Sequence, residues 1–129
     1  MKNEATAGSL PTEAGSVHKF LPTEVRAIIS DEECFYSIAS MWEISIKQSL
    51  QKLDADLVLS DLDRQCHLAG IHRIPIEIEH LERIKTLPDI HRDPFDRILV
   101  AQALEEGLVI VTRDRIIPQY PVQTTWQHP

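Results

Sequence analysis

Asp93, Asp96 and Asp114 stand where the chain enters and leaves segments that must be buried, and carboxylates in such places invite a chemical reading. In "IHRDPFDRILVAQALEEGLVIVTRD", Asp93 and Asp96 open an almost wholly apolar segment and Asp114 closes the apolar run after it. A further acid, Glu43, lies within "ASMWEISIKQSL", where helical steps put Ala39, Trp42, Ile46 and Leu50 on one stripe and Glu43 at its edge, facing inward. A buried carboxylate is costly without a partner, and Lys47 one turn on is the local candidate. Local physics also covers Asp93 as a helix cap and Asp96 as a first-turn charge against the helix dipole, with Pro94 at a favoured first position. It does not cover Asp114. That residue falls just past "LVIVT", which is apolar on both faces like a strand inside a parallel sheet, and ligands of open α/β sheets bind beyond the carboxyl ends of such strands.

If Glu43, Asp96 and Asp114 converge at that edge, carboxylates ~4 Å apart repel by about 4 kcal/mol per pair at an effective dielectric of about 20. A hard, oxygen-seeking cation such as Mg2+ or Mn2+ relieves this repulsion. A cation held by a few carboxylates, with open positions left over, suits phosphodiester hydrolysis and needs no serine, cysteine or histidine nucleophile. Arg92, Arg97, Arg113 and Arg115 each adjoin an aspartate in sequence. They are either surface arginines in weak ion pairs or guanidinium groups set to take phosphate oxygens beside an acidic centre.

The elements that must position these residues alternate. "MKNEATAGSLPTEAGSV" has neither helical nor strand periodicity, so residues 1–19 are expected to form an irregular or disordered tail and 20–129 a single domain. A short helix is predicted from Pro22 through "PTEVRAII", then a strand at "CFYSI", a helix from Ile38 to about Leu50, and a helix over "LVLSDLDRQCHLAG" stopped by Gly70. Next come a strand at "IHRIP", an amphipathic helix at "IEIEHLERIK" whose apolar spine suits either the core or an interface, with the core expected, and a loop. A helix from Pro94 to Glu106, the strand "LVIVT", a turn through Pro118 and a short strand near "VQTTW" complete the chain. This rhythm is that of an α/β fold with a largely parallel sheet.

Composition narrows the function. With 129 residues, 43% hydrophobic and 26% charged, the chain can bury one substantial core. No run is long and apolar enough for a membrane span, and the start lacks the pattern of a secretion signal, so a cytoplasmic location is expected. Cys34 and Cys66 form no metal-binding pair and read as buried thiols, and the six histidines show no ligand spacing. A net charge of −7 argues against binding nucleic acid through the overall field, so any such binding must be local.

"SIASMWEISIKQSLQKL", "LPDIHRDPFDRILVAQALEEGLVIVTRD" and "YPVQTTW" together resemble PIN-domain proteins of the VapC toxin type, over about residues 21–126. The resemblance implies a three-layer α/β/α fold with a central, mainly parallel sheet. It also implies Mg2+-dependent endoribonuclease activity on RNA, a small antitoxin protein as partner, and a homodimer. Glu43 in "WEI", Asp96 in "PFDR" and Asp114 in "VTRD" match the family's acids and would be both catalytic residues and metal ligands. Asp93 matches a capping neighbour, and Arg97, Arg113 and Arg115 would meet RNA phosphates. One departure stands out: members normally begin with a hydrophobic strand ending in a metal-binding aspartate, which this chain lacks or has replaced. The expected consequences are unpaired neighbours in the middle of the sheet and a weakened site. The alternative to an active enzyme is an impaired PIN remnant that acts by binding an antitoxin, or a chain with no activity.

Overall fold

The computed structural model describes residues 27–30, 33–54 and 56–125, with side chains from Glu33 onward. The expected tail over 1–19 and the start of the helix expected at Pro22 lie outside the described residues. The strands are β1 Ala27–Ser30, β2 Glu33–Ser37, β3 Ile71–Ile74, β4 Val109–Val111 and β5 Thr124–Thr125. The helices are α1 Ile38–Ser49, α2 Leu59–Leu68, α3 Ile78–Ile84 and α4 Pro94–Glu106.

One sheet takes all five strands in the order β3-β2-β1-β4-β5. β2 is parallel to β3 and β4 to β5, whereas β1 runs antiparallel to both of its neighbours. Four strands therefore point one way, and the central one opposes them. Here the structure corrects two expectations. Ala27–Ser30, read as the end of a short helix, is a strand, and the middle of the sheet is filled rather than left open. Two residues separate β1 from β2, with Ser30 opposite Glu33; so tight a connection joins only antiparallel neighbours. The pairing of Ile28 with Phe35 and of Ile29 with Cys34, residues suited to strands, outweighs the weak helical pattern of "PTEVRAII".

Side chains of the sheet alternate between two cores, as the pleat requires. Cys34, Tyr36, Ile71, Val109 and Val111 pack with Met41 and Ile44 of α1 and with Leu62 and Cys66 of α2. On the opposite face, Phe35 and Ile110 pack with Leu99, Val100 and Ala103 of α4 and with Ile84 of α3. Two helical layers thus enclose the sheet, giving the three-layer α/β/α arrangement. The connection β2 to β3 steps one way across the sheet and β3 to β4 steps the other, and crossovers of one hand then place their helices on opposite faces.

α1 and α4 bear on the site. Ser37 ends β2 and caps α1, its hydroxyl accepting the Ala39 N–H at 3.0 Å. The buried face of α1 is Ala39, Ser40, Met41 and Ile44, rotated from the stripe expected in sequence: Trp42 is 57% and Leu50 58% exposed. An apolar stripe marks the buried face only when one neighbour receives it, and α1 has two. Met41 and Ile44 go to the sheet, while Trp42 leans edge-on against Phe95 of α4, ring centroids 5.0 Å apart. α4 starts with Asp93 as N-cap and Pro94 in its first turn, and stops at Gly107, whose φ of 69° is left-handed. On α3, Ile78 and Leu81 are exposed, so its apolar residues do not all reach the core as expected, and the side chain it buries is His80.

Candidate functional site

The four like-directed strands share one carboxyl edge, and the site is built there. α1 departs from that edge at the end of β2, carrying Glu43 on its second turn. Asp114 lies three residues beyond Val111, the last residue of β4. α4 returns across the sheet into β4 through the Gly107 turn, so its first turn, with Asp96, sits at the same edge. The Trp42–Phe95 contact joins α1 and α4 through the residues immediately preceding Glu43 and Asp96.

Each acid has a definite local environment. Asp96 is only 6% exposed. Its Oδ2 lies 3.3 Å from Nε2 of His91, whose Nδ1 is 2.8 Å from the Tyr120 hydroxyl. Glu43 is half-buried and sits 3.4 Å from Lys47 Nζ, the partner available one turn on. Asp114 is half-buried in a turn: its N–H donates to Thr112 Oγ1 at 3.0 Å and its Oδ1 accepts the Ile116 N–H at 2.9 Å. Asp93 Oδ1 accepts the N–H groups of Phe95 at 2.9 Å and Asp96 at 3.2 Å, which orients the turn that presents Asp96.

Among the described residues, no three His, Cys, Asp or Glu side chains gather as a group that could hold a metal ion. The topology supplies a reason. β2 and β4, which lead to Glu43 and Asp114, are separated by the width of β1, so their ends are two strand spacings or about 10 Å apart. Because β1 is reversed, its own carboxyl end lies at the opposite edge of the sheet.

The arginines divide into two kinds. Arg97 serves the protein: its Nη1 donates to Pro88 O at 3.0 Å and to the Tyr120 hydroxyl at 3.2 Å, and its Nη2 to Ile84 O at 3.4 Å. It thereby fastens the loop between α3 and α4, a role different from the phosphate contact expected in sequence. Arg113 and Arg115 flank Asp114 and are exposed.

The protein-family model described as PIN domain matches residues 18–122. The chain belongs to the PIN-domain family. No curated protein and no solved structure matches it. PIN domains are in general nucleases and typically use a divalent metal, so the family puts this chain in a nuclease superfamily.

The donor set of this PIN domain suits a hard cation in kind. Glu43, Asp96 and Asp114 offer only carboxylate oxygens, and Asp96 is a buried carboxylate at a ligand-binding edge. To join Asp96 and Asp114, Glu43 would have to part from Lys47 and span the width of β1. An i,i+4 pair of this sort is worth only about 0.3–0.5 kcal/mol, little against the attraction of a divalent ion. His91 and Tyr120 were missed in the sequence. Neither lies at metal-ligand spacing, and Tyr120 reaches His91 from the far end of the chain; only the position of His91 just before the Asp93 cap hinted at its place.

Proposed function

We propose that this PIN domain is a metal-dependent endoribonuclease of the VapC toxin type, cutting RNA phosphodiester bonds at the carboxyl edge flanked by Glu43, Asp96 and Asp114. The observation that carries this reading is the placement of Asp96, a nearly buried carboxylate, with Asp114 at that edge. Asp96 and Asp114, joined by Glu43 once it releases Lys47, would hold Mg2+ or Mn2+. Such an ion, when bound, neutralises the scissile phosphate and makes water a better nucleophile. Arg113 and Arg115 supply the local positive charge that an acidic protein needs in order to receive a phosphodiester. Trp42 and Phe95 brace α1 against α4 and so fix the spacing between Glu43 and Asp96. Partners in this reading are RNA as substrate, a small antitoxin protein and a second copy of the chain. The two cysteines are free and buried, which accords with the reducing cytoplasm; among the described residues no helix is long and apolar enough to cross a membrane.

RNA cleavage with Mg2+ or Mn2+ tests the proposal. Asp96→Asn and Asp114→Asn should each slow cleavage by about 100-fold or more, the scale of removing one electrostatic group from a reacting centre. Unchanged rates in both variants would exclude it.

A second reading, an impaired remnant that acts by binding an antitoxin, draws on the Glu43–Lys47 pair and on the lack of three gathered acids among the described residues. Its signature is capture of a small antitoxin by a chain that leaves RNA intact at millimolar Mg2+ and Mn2+.

A further inference from the structure

Asp96 is held by a network of side chains, and that network has a direction. Arg97 can only donate, so at the Tyr120 hydroxyl the oxygen accepts from Nη1 at 3.2 Å. The single hydroxyl proton then has two acceptors in reach, His91 Nδ1 at 2.8 Å and the His91 backbone oxygen at 3.4 Å, and geometry favours the ring nitrogen. With Nδ1 accepting, the imidazole carries its proton on Nε2, the atom 3.3 Å from Asp96 Oδ2. The other neutral tautomer would aim a nitrogen lone pair at a carboxylate and is excluded by repulsion. The parts of this chain are firmly placed. Tyr120 is 2% exposed, and Arg97 pins the His91 loop through the Pro88 and Ile84 carbonyls.

We infer that His91, oriented by Tyr120, is a positioning residue that presents the Asp96 carboxylate to a divalent cation through its Nε2–H donor. The inference rests on the nuclease reading above and adds to it the residue that prepares a ligand in advance. A carboxylate in a first helical turn can swivel about two side-chain torsions. A hydrogen bond to Oδ2 stops the swivel, which fixes where Oδ1 points and spares the cation that ordering cost. Partners of this kind, when removed, cost about 10–100-fold in metal affinity.

Mn2+ titration of the full chain, read by the paramagnetic signal of the free ion, tests this with melting curves run alongside. His91→Ala should weaken Mn2+ binding by about 10–100-fold. His91→Gln, whose side-chain amide can set an N–H where Nε2–H was, should recover most of that loss. Tyr120→Phe keeps the ring in the core, removes the hydroxyl that orients His91, and should fall between the two. Wild-type affinity in His91→Ala overturns the inference, as does equal weakening in His91→Ala and His91→Gln, which would mark a packing role. Asp96→Asn separates the two levels: if it binds Mn2+ as wild type does, the metal-site reading itself fails and the inference with it. If Asp96→Asn abolishes binding while His91→Ala leaves it intact, only the inference falls.

Discussion

At the scale of single residues, burial and partners decide which side chains can do chemistry. Cys34 and Cys66 sit in the core on one face of the sheet, and burial pushes each thiol up from 9.0 to about 11. Neither is a nucleophile at neutral pH. Both should ignore a thiol reagent in the folded protein and react once denaturant is added. The same shift sets a pH dependence. The folded chain keeps these protons while the unfolded chain releases them near 9.0, so their contribution is constant below that pH and is lost as pH climbs towards about 11. Urea midpoints should therefore fall between about pH 9 and about pH 11, and less steeply in a Cys34→Ala/Cys66→Ala double variant. An equal slope in that variant would assign the effect to other groups. His80 illustrates a buried residue of another kind. It is fully enclosed, its Nδ1 accepts the Glu77 N–H at 2.9 Å, and the proton this leaves on Nε2 faces Glu106 Oε2, also at 2.9 Å. Sequence pattern points to the apolar neighbours Ile78 and Leu81 instead, because a histidine becomes a core residue only through partners that lie elsewhere in the chain.

At the scale of elements, α4 carries the most information, because its two ends serve different ends of the site. Its first turn presents Asp96, its last turn reverses the chain, and β4 then delivers Asp114. Gly107 holds a left-handed φ of 69°, and a Cβ placed there would meet no atom within 4 Å. Gly107→Ala should thus cost only the backbone term, about 1–2 kcal/mol, and Gly107→Asn less, since Asn tolerates that conformation. Thermal melts of the two variants check this; an alanine variant as stable as wild type would mean that the turn relaxes out of the left-handed region. α1 shows the limit of periodicity. Its apolar residues mark two neighbours, the sheet and Phe95, so the single stripe read from sequence is rotated from the buried face.

At the scale of the whole molecule, the notable feature is a reversed strand in the middle of an otherwise parallel sheet. β1 has a neighbour on each side, so its backbone groups find partners in β2 or β4. Ile29→Pro should therefore leave ladder groups unpaired and destabilise the fold by about 1–3 kcal/mol for each buried group left unsatisfied. Hydrogen exchange should show β1 amides protected together with those of β2. Rapid exchange confined to Ala27–Ser30 would show that the sheet holds without its central strand. The reversal also bears on the site, since it puts the carboxyl end of the central strand at the opposite edge, while the ends of β2 and β4 stand about 10 Å apart across β1.

The sequence by itself determined the α/β rhythm, the bounds of α4 from Pro94 to Glu106, the cap at Asp93, the stop at Gly107 and the short β4 that ends before Asp114. Each of these is a local event, set by a side chain acting on its own backbone or by an unbroken apolar run. Family membership was likewise legible, because it rests on long segments in order. Only the tertiary structure decided the direction and central place of β1, the exposure of Trp42, the turning of Arg97 towards the α3–α4 loop, and the link from Tyr120 through His91 to Asp96. These depend on which distant segments meet, and no spacing along one chain encodes the distance between two of its strands.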